Sequence, residues 1–545
     1  MNMRNCMNQY YLFPCEDSSD KVAENCLTRW RVRIRDNNAI IVSYLDGVSD
    51  HPDIPGCRPG PEIVLESVGL GAGPFRWLGD SLIGKYFQAA TVNNRFQAVF
   101  PRAAQAKVFA ANPPSLCRIR IDQGMLTMLA EGKGEGPEAA INLPSVIGRG
   151  EKFLKDCPLC WAKERDAFWE ASWVLYRIHK FPPDNVYTGG YLSIGRSFYS
   201  PVVGHWDLTH ACLDYSLKDM AFASKVMQGF VNTFQNDGMM PSIYRPCWKT
   251  EEEKFQLCCS SPCVHTWTVR YIYDKTGDLS LVENVYEAFK RNLAWWETNR
   301  MLKNGLFRYS DFALHGKGYE SGYDKGSRFE RKGNIAAVDL CGQMAGFYND
   351  MSYFAGLLGA QDDQRVFAGK YQDLCRNIQN FLWDGQDGFF YDYDLDRKEF
   401  VRIKTIAVIW PLYARAATRE QAQKVHEHLA NPAEFWTKYP FPSEARSEPN
   451  YAKMDTWQGP VWMSQNFWAA VGLNNYGYKD AVREISNRSI QMAYDHFKLT
   501  GMLCEFYHPE RADGAGLMRK GRTTGPFRYY AGHFPIHILH ALGQR

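Results

Sequence analysis

Two carboxylates stand among glycines and aromatic residues, in stretches with no helix or strand period. Asp324 lies in ESGYDKGSRF and Glu505 in GMLCEFYHPERADGAG. Breaking a glycosidic bond needs one carboxylic acid to protonate the leaving oxygen. It also needs a second carboxylate that activates water or attacks directly. Aromatic neighbours desolvate the acid and help it keep its proton near neutrality. The competing account of Asp324 is a turn or cap residue, the ordinary role of Asp after Gly-Tyr. Separation along the chain does not reveal whether the two carboxylates meet.

Other segments offer groups that bind hydroxyls. GHWDLTH supplies Trp206 and Asp207, a stacking ring and an acceptor, although an Asp there also serves as a helix N-cap. FQNDGMMPSIYRP turns on its Asn-Asp-Gly and leaves Gln235, Tyr244 and Arg245 as candidates. Glu320 and Arg328 flank Asp324, where they either hold the loop or touch substrate. DTWQGPVWMSQNFW brings Trp457, Gln458, Gly459 and Trp462 to the start of a helix, as an aromatic rim with an amide. Tyr507 and His508 follow Glu505. His265 and Trp267 in SSPCVHTW read as packing residues.

The chain has 545 residues, which sets two domains as the expectation. Its net charge of +3 is spread over intermixed acids and bases, so nothing points to nucleic acid or a membrane surface. Aromatic residues make up 14%, a share that suits both a large core and stacking on sugar faces. No apolar run is long enough to span a bilayer, and the first residues lack the apolar centre of a signal peptide. A cytoplasmic chain with reduced cysteines is the expectation. CPLC at 157–160 and CCSSPC at 258–263 offer metal ligands, but buried thiols are the plainer reading. YDYDLDRKEF, with Asp392, Asp394 and Asp396, has the spacing of a calcium loop but not its glycine and final glutamate, so a hairpin with an acidic turn is favoured. The two-carboxylate chemistry requires no metal and no cofactor.

The elements that must position these residues change character near residue 155. Before it, RWRVRIR, AIIVSYL, EIVLESVGL, RFQAVF and CRIRI alternate at period two between turn residues, predicting a β-sandwich-like domain over 1–150. GEGPEAAINLPSVIGRGE reads as a linker. Beyond it, helical periodicity predicts twelve helices, at 159–179, 204–216, 218–235, 262–276, 279–299, 336–359, 361–382, 404–416, 419–430, 460–475, 478–497 and 528–543. Twelve helices without a fixed repeat suit an (α/α)6 barrel over 151–545, whose loops at one end ring a funnel. The long loops 236–261, 300–335 and 498–527 carry the polar and aromatic segments.

With these residues in view, the stretch 155–545 resembles the (α/α)6 inverting glycosidases of glycoside hydrolase family 63 and its neighbours, the trehalases and the mannosylglycerate or glucosylglycerate hydrolases. ESGYDKGSRF is similar to the segment that carries their general acid, which implies that role for Asp324. EFYHPERADGAG is similar to the segment of their general base, with a longer spacer before its paired glycines, which implies that role for Glu505. WQGPVWMSQN, the Trp-Asp pair, the Gln-x-Asp-Gly segment and SPCVHTW follow the family order. PFRYYAGH and GRSFYSPVVGHWD depart from the family pattern near the sugar pocket, which bears on the substrate and not on the acid and base.

The resemblance implies an inverting α-glycosidase with a small carbohydrate substrate, foremost an α-glucosidase on a short glucoside or glucosyl conjugate. Mannosidase-, trehalase- and α-L-rhamnosidase-type specificities share the barrel. From other classes, a non-catalytic carbohydrate-binding protein and a polysaccharide lyase remain. The lyase would use Tyr244, Arg245 and His508.

Overall fold

A computed structural model describes residues 8–12, 28–35, 39–46, 58–66, 76–84, 87–92, 95–99, 105–109, 117–122, 125–130, 141–158, 166–194, 202–246, 254–312, 318–523, 525–526 and 534–544. The protein is mainly α-helical. Among the described residues, antiparallel strands between Asn8 and Ala130 form one five-stranded and one six-stranded sheet. The alternation in RWRVRIR sets their faces: Thr28–Arg35 pairs with Ala39–Asp46 so that Val32 opposes Val42, and both are fully buried.

The helices are α1 (Leu143–Lys155), α2 (Asp166–His179), α3 (His205–Tyr215), α4 (Met220–Phe230), α5 (His265–Thr276), α6 (Leu279–Arg300), α7 (Val338–Leu357), α8 (Gln361–Asn377), α9 (Trp410–Tyr413), α10 (Arg419–Leu429), α11 (Met463–Asn475), α12 (Lys479–Thr500) and α13 (Ile536–Gly543). Helix α1 corrects the linker reading. Asn142 caps it by accepting from the Ser145 N–H, a proline opens it, and Gly148 and Gly150 had hidden its period. The predicted helix at 404–416 is a 3-10 turn, Ile406–Ile409, followed by the short α9. The end of the one predicted at 361–382 is a π turn, Ile378–Leu382. Residues 527–533, where the last predicted helix was to begin, lie outside the described residues, and α13 starts at Ile536.

Burial separates the helices into two kinds. Helices α7 and α11 are buried on nearly every side, whereas α10 buries only Gln421, Ala422, Val425 and Leu429, one narrow stripe. Helices α3, α5, α7, α9, α11 and α13 touch in that order, and α13 returns to α3, so the six close a cycle. The strands are fastened to α1 and α2 by charge as well as packing. Arg177 of α2 meets the buried Asp80 through two nitrogens at 2.7 and 2.8 Å, and Arg76 pairs with Glu170.

Candidate active site

The segment 318–329 is irregular but tightly pinned. Asp311 accepts the backbone N–H groups of Tyr319, Glu320 and Ser321 at 2.9, 2.9 and 3.2 Å. Glu320 is fully buried and is gripped by Arg300 through bonds of 2.9 and 2.7 Å. The Tyr323 hydroxyl donates to Gln465 at 2.7 Å and accepts from the Trp410 indole at 3.0 Å. Ser327 binds Glu444 through its N–H at 2.8 Å and its hydroxyl at 3.0 Å. Arg328, also buried, pairs with Asp339 and with Asp392, the latter at 2.9 Å. Between these anchors the half-buried Asp324 faces a cleft, where its Oδ2 meets Lys520 Nζ at 2.6 Å.

Glu505 reaches the same cleft from the segment after α12. The strand-like contact of Val461 with Tyr507, N–H to carbonyl in both directions at 2.8 and 3.0 Å, docks that segment on the one carrying Trp457 and Trp462. The two indoles stack with ring centres 4.3 Å apart and planes 5° from parallel. Glu505 is buried and forked by Arg519, whose Nε and Nη2 stand 2.7 and 3.0 Å from its oxygens. Arg519 and Lys520 come from a short turn held by backbone contacts of Met518 with Met454 and Thr456 and by Lys520 N–H to Thr456 Oγ1 at 2.8 Å.

The cleft encloses about 430 Å³ and is lined by Trp206, Asp207, Arg245, Asp324, Trp457, Trp462 and Glu505 of the candidates read from sequence. Trp206 and Asp207 belong to the first turn of α3, so the helix start directs both into it. Asp207 is buried and its carboxyl is pushed up to about 7, first by burial and then by the negative charge of Glu505, with Asp324 adding to it. The charges of Glu505 and Asp324 therefore reach Asp207 across the cleft. Its wall also includes His210, whose Nε2 accepts from the Trp468 indole at 2.8 Å and whose pKa is lowered by burial to about 3.

The remaining candidates do not line this cleft; they build its frame. Glu320 and Arg328 are locked in the ion pairs described above. The Tyr244 hydroxyl donates to Asp184 at 2.9 Å and the ring stacks on Phe255. Gln235 donates to the Thr233 carbonyl at 3.2 Å and closes a turn with Met239. The Gln458 amide donates to Ser327 Oγ at 3.0 Å. Gly459 receives no substrate-facing role, as its backbone packs on Tyr451. The Tyr507 hydroxyl accepts from Cys504 N–H at 3.1 Å, and His508 Nδ1 accepts from Glu510 N–H at 3.0 Å. Gly459 apart, each of these polar side chains is engaged by a neighbouring protein group. His265 packs among Phe230, Phe289 and Phe347, and its pKa is lowered by burial to about 3.

Sequence reasoning missed Arg519 and Lys520, whose one signal was a basic pair next to Gly521. It also missed Ser242, Gln256, Tyr319 and Thr456 on the cleft wall. Asp392 and Asp394 serve arginines, Arg328 and Arg331, from a hairpin. No group of three metal-ligating side chains forms among the described residues. Cys258, Cys259 and Cys263 form no disulfide, and Cys160 lies outside the described residues. No described helix is long and apolar enough to cross a membrane. A second cavity, of about 580 Å³, is lined by residues of α5, α7 and α11, and of the residues singled out above it takes only Trp267.

Comparison with known proteins gives this cleft a context. The mannosylglycerate hydrolase of Thermus thermophilus is 31% identical over 139 residues, 25% of this chain and 31% of that protein. The cytosolic neutral trehalase of Kluyveromyces lactis is 26% identical over 215 residues, 37% of this chain and 28% of that protein. The matches span no more than 51% of the length of the first curated relatives. The solved family 63 mannosylglycerate hydrolase of Thermus thermophilus, bound to Tris, superposes with a TM-score of 0.52 at 17% identity, over 65% of this chain and 96% of that one, which shows a shared fold. The mannosylglycerate hydrolase MGH1-like glycoside hydrolase domain matches residues 200–528, more than half of the chain and all of the cleft's carboxylates. The chain belongs to that family of glycoside hydrolase domains, of the family 63 type.

Proposed function

We propose that this protein is an inverting α-glycosidase that releases glucose or mannose from a short conjugate, with Asp324 as general acid and Glu505 as general base. The observation that carries the reading is the meeting of Asp324, Glu505 and Asp207 on one cleft with Trp206, Trp457 and Trp462. A cleft of about 430 Å³ suits one or two sugar rings, with the indoles as stacking surfaces. Asp207 accepts sugar hydroxyls beside the reacting carbon. As substrate enters, Asp324 exchanges Lys520 for the glycosidic oxygen, takes up a proton from solvent and passes it to that oxygen as the bond opens. Glu505, oriented by Arg519, takes a proton from the water that attacks the opposite face. We read the helical cycle as the inner ring of an (α/α)6 barrel over 151–545, with residues 1–150 as a β-sandwich-like domain.

The relatives act, by their names, on mannosylglycerate and trehalose. Arg245, Arg519 and Lys520 on the cleft favour the first type, a hexosyl conjugate with an acidic aglycone. The lyase reading loses Tyr244 and His508, which do not line the cleft. Screening monosaccharide release from α-linked disaccharides and hexosyl glycerates tests the substrate. Proton NMR of the first-formed sugar tests the mechanism: the β-anomer is expected, and the α-anomer would rule out Glu505 as a simple general base.

A further inference from the structure

One wall of the cleft rests on a pair of adjacent thiols. Cys258 is exposed, Cys259 is buried, and their Sγ atoms stand 3.9 Å apart. Cys259 Sγ donates to Ser242 Oγ at 3.4 Å and receives the Gln256 amide at 3.6 Å, and both partners line the cleft. The Ser242 carbonyl accepts the N–H of His205, the first residue of α3, at 3.1 Å. Gln256 Oε1 accepts from Arg245 Nη2 at 2.8 Å. A change at Cys259 therefore reaches the helix start carrying Trp206 and Asp207, and the cation on the opposite side of Gln256.

We propose that Cys258 and Cys259 form a reversible thiol-modification site, which closes to a vicinal disulfide on meeting a small disulfide such as oxidised glutathione and thereby loosens this wall of the cleft. The exposed Cys258 thiolate attacks one sulfur of the oxidant. A mixed disulfide forms on Cys258, the oxidant's own S–S bond breaks, and one thiolate leaves and is protonated. Cys259, after losing its proton, attacks the Cys258 sulfur and expels the second small thiolate. Two protein thiols are oxidised and one small disulfide is reduced to two thiols. The order follows from access: burial holds the Cys259 thiol up at about 12, so it serves as the resolving group and not as the point of entry. Adjacent Cα atoms lie about 3.8 Å apart, whereas relaxed disulfides span roughly 4.4–6.8 Å. The closed pair is strained and easily reduced, the property of a switch and not of a structural bridge. Closure removes the Cys259 hydrogen from Ser242 and draws Sγ away from Gln256.

The pairing itself is independent of the glycosidase reading, and only its effect on turnover rests on it. The test is to expose the reduced full-length chain to oxidised glutathione, alkylate the remaining thiols and weigh the peptide containing both cysteines. That peptide also contains Cys263, so after unfolding the expected product lacks two hydrogens and takes up a single alkyl group, on Cys263. Sugar release falls several-fold, and dithiothreitol restores both. Cys258→Ser keeps its activity under the oxidant, and Cys259→Ser stops at a glutathione adduct on Cys258. Alkylation of Cys258 and Cys259 as well as Cys263, or a persistent glutathione adduct on the native pair, would overturn the pairing. Equal inhibition of the Cys258→Ser protein would overturn the coupling to the cleft.

Discussion

Arg519 holds Glu505 in a fork, Nε to Oε2 at 2.7 Å and Nη2 to Oε1 at 3.0 Å, with both side chains largely out of water. Removing one member of such a pair leaves a carboxylate that burial disfavours. Arg519→Met is expected to cost about 3–5 kcal/mol, the range for breaking a buried pair. Arg519→Lys keeps the charge but loses the planar fork, so it should fall between the two. Denaturant unfolding of the three proteins checks this; equal stability of the Met variant would show that Glu505 does not depend on its partner.

The acid and base assignments separate with the choice of leaving group. Asp324→Asn removes the proposed proton donor, so poor leaving groups should slow by roughly 10²–10⁴-fold. A glycosyl fluoride needs little protonation and should lose far less. Glu505→Gln should impair both substrates alike, because every departure requires an activated water. In an inverting enzyme the two carboxyl groups stand roughly 6.5–9.5 Å apart, leaving room for that water. Equal losses on the fluoride for both variants would remove Asp324 from the acid role.

Much of this site was legible because helix periodicity and helix starts leave strong local marks. Trp206, Asp207 and Trp462 stand at or beside the first turns of α3 and α11, where a reader of sequence expects a loop to open. Helix α1 was not legible, since Gly148 and Gly150 interrupt its period while tertiary contacts of Val146 and Leu154 sustain it. Nor were the partners of charge. Lys520 meets Asp324 from 196 positions away, and no spacing rule signals such a pair. The same gap left Glu320 and Arg328 open between holding the loop and touching substrate. A charged residue beside a catalytic one reads alike whether it faces the ligand or, like these two, Arg300 and Asp339 in the interior.

Asp207 gives the site a pH signature in stability. Burial and the charges of Glu505 and Asp324 raise its carboxyl from the ordinary 3.8 to about 7. Between those values the folded chain holds a proton that the unfolded chain has released, so stability is lost as pH rises through this window. Asp207→Asn cannot titrate. Its melting temperature should therefore fall less than that of the native protein between about pH 5 and pH 8. Asp214 and Glu444, also raised to about 7, contribute to both proteins and cancel in the difference. Parallel melting curves across the window would mean that Asp207 is not held in this environment.

Gly459 is the residue on which the aromatic rim turns. Its φ is +111°, a region that side chains avoid, and a Cβ there would stand 2.4 Å from the Tyr451 carbonyl oxygen. Two residues earlier is Trp457, stacked on Trp462 and packed 4.2 Å from Tyr323, the neighbour of Asp324. Gly459→Ala must therefore shift the turn made by Asp455 and Gln458, and with it the ring that lines the cleft. The backbone conformation alone is expected to cost about 1–3 kcal/mol, seen as a lower denaturation midpoint. Sugar binding should weaken with it, through a higher KM. Trp462→Ala is the comparison, since it removes one ring of the stack without straining the backbone. It should raise KM and lose stability through the Thr456 hydrogen bond and the packing on Phe506, not through the backbone. A Gly459→Ala protein with native stability and native KM would show that the turn can move without carrying Trp457 along.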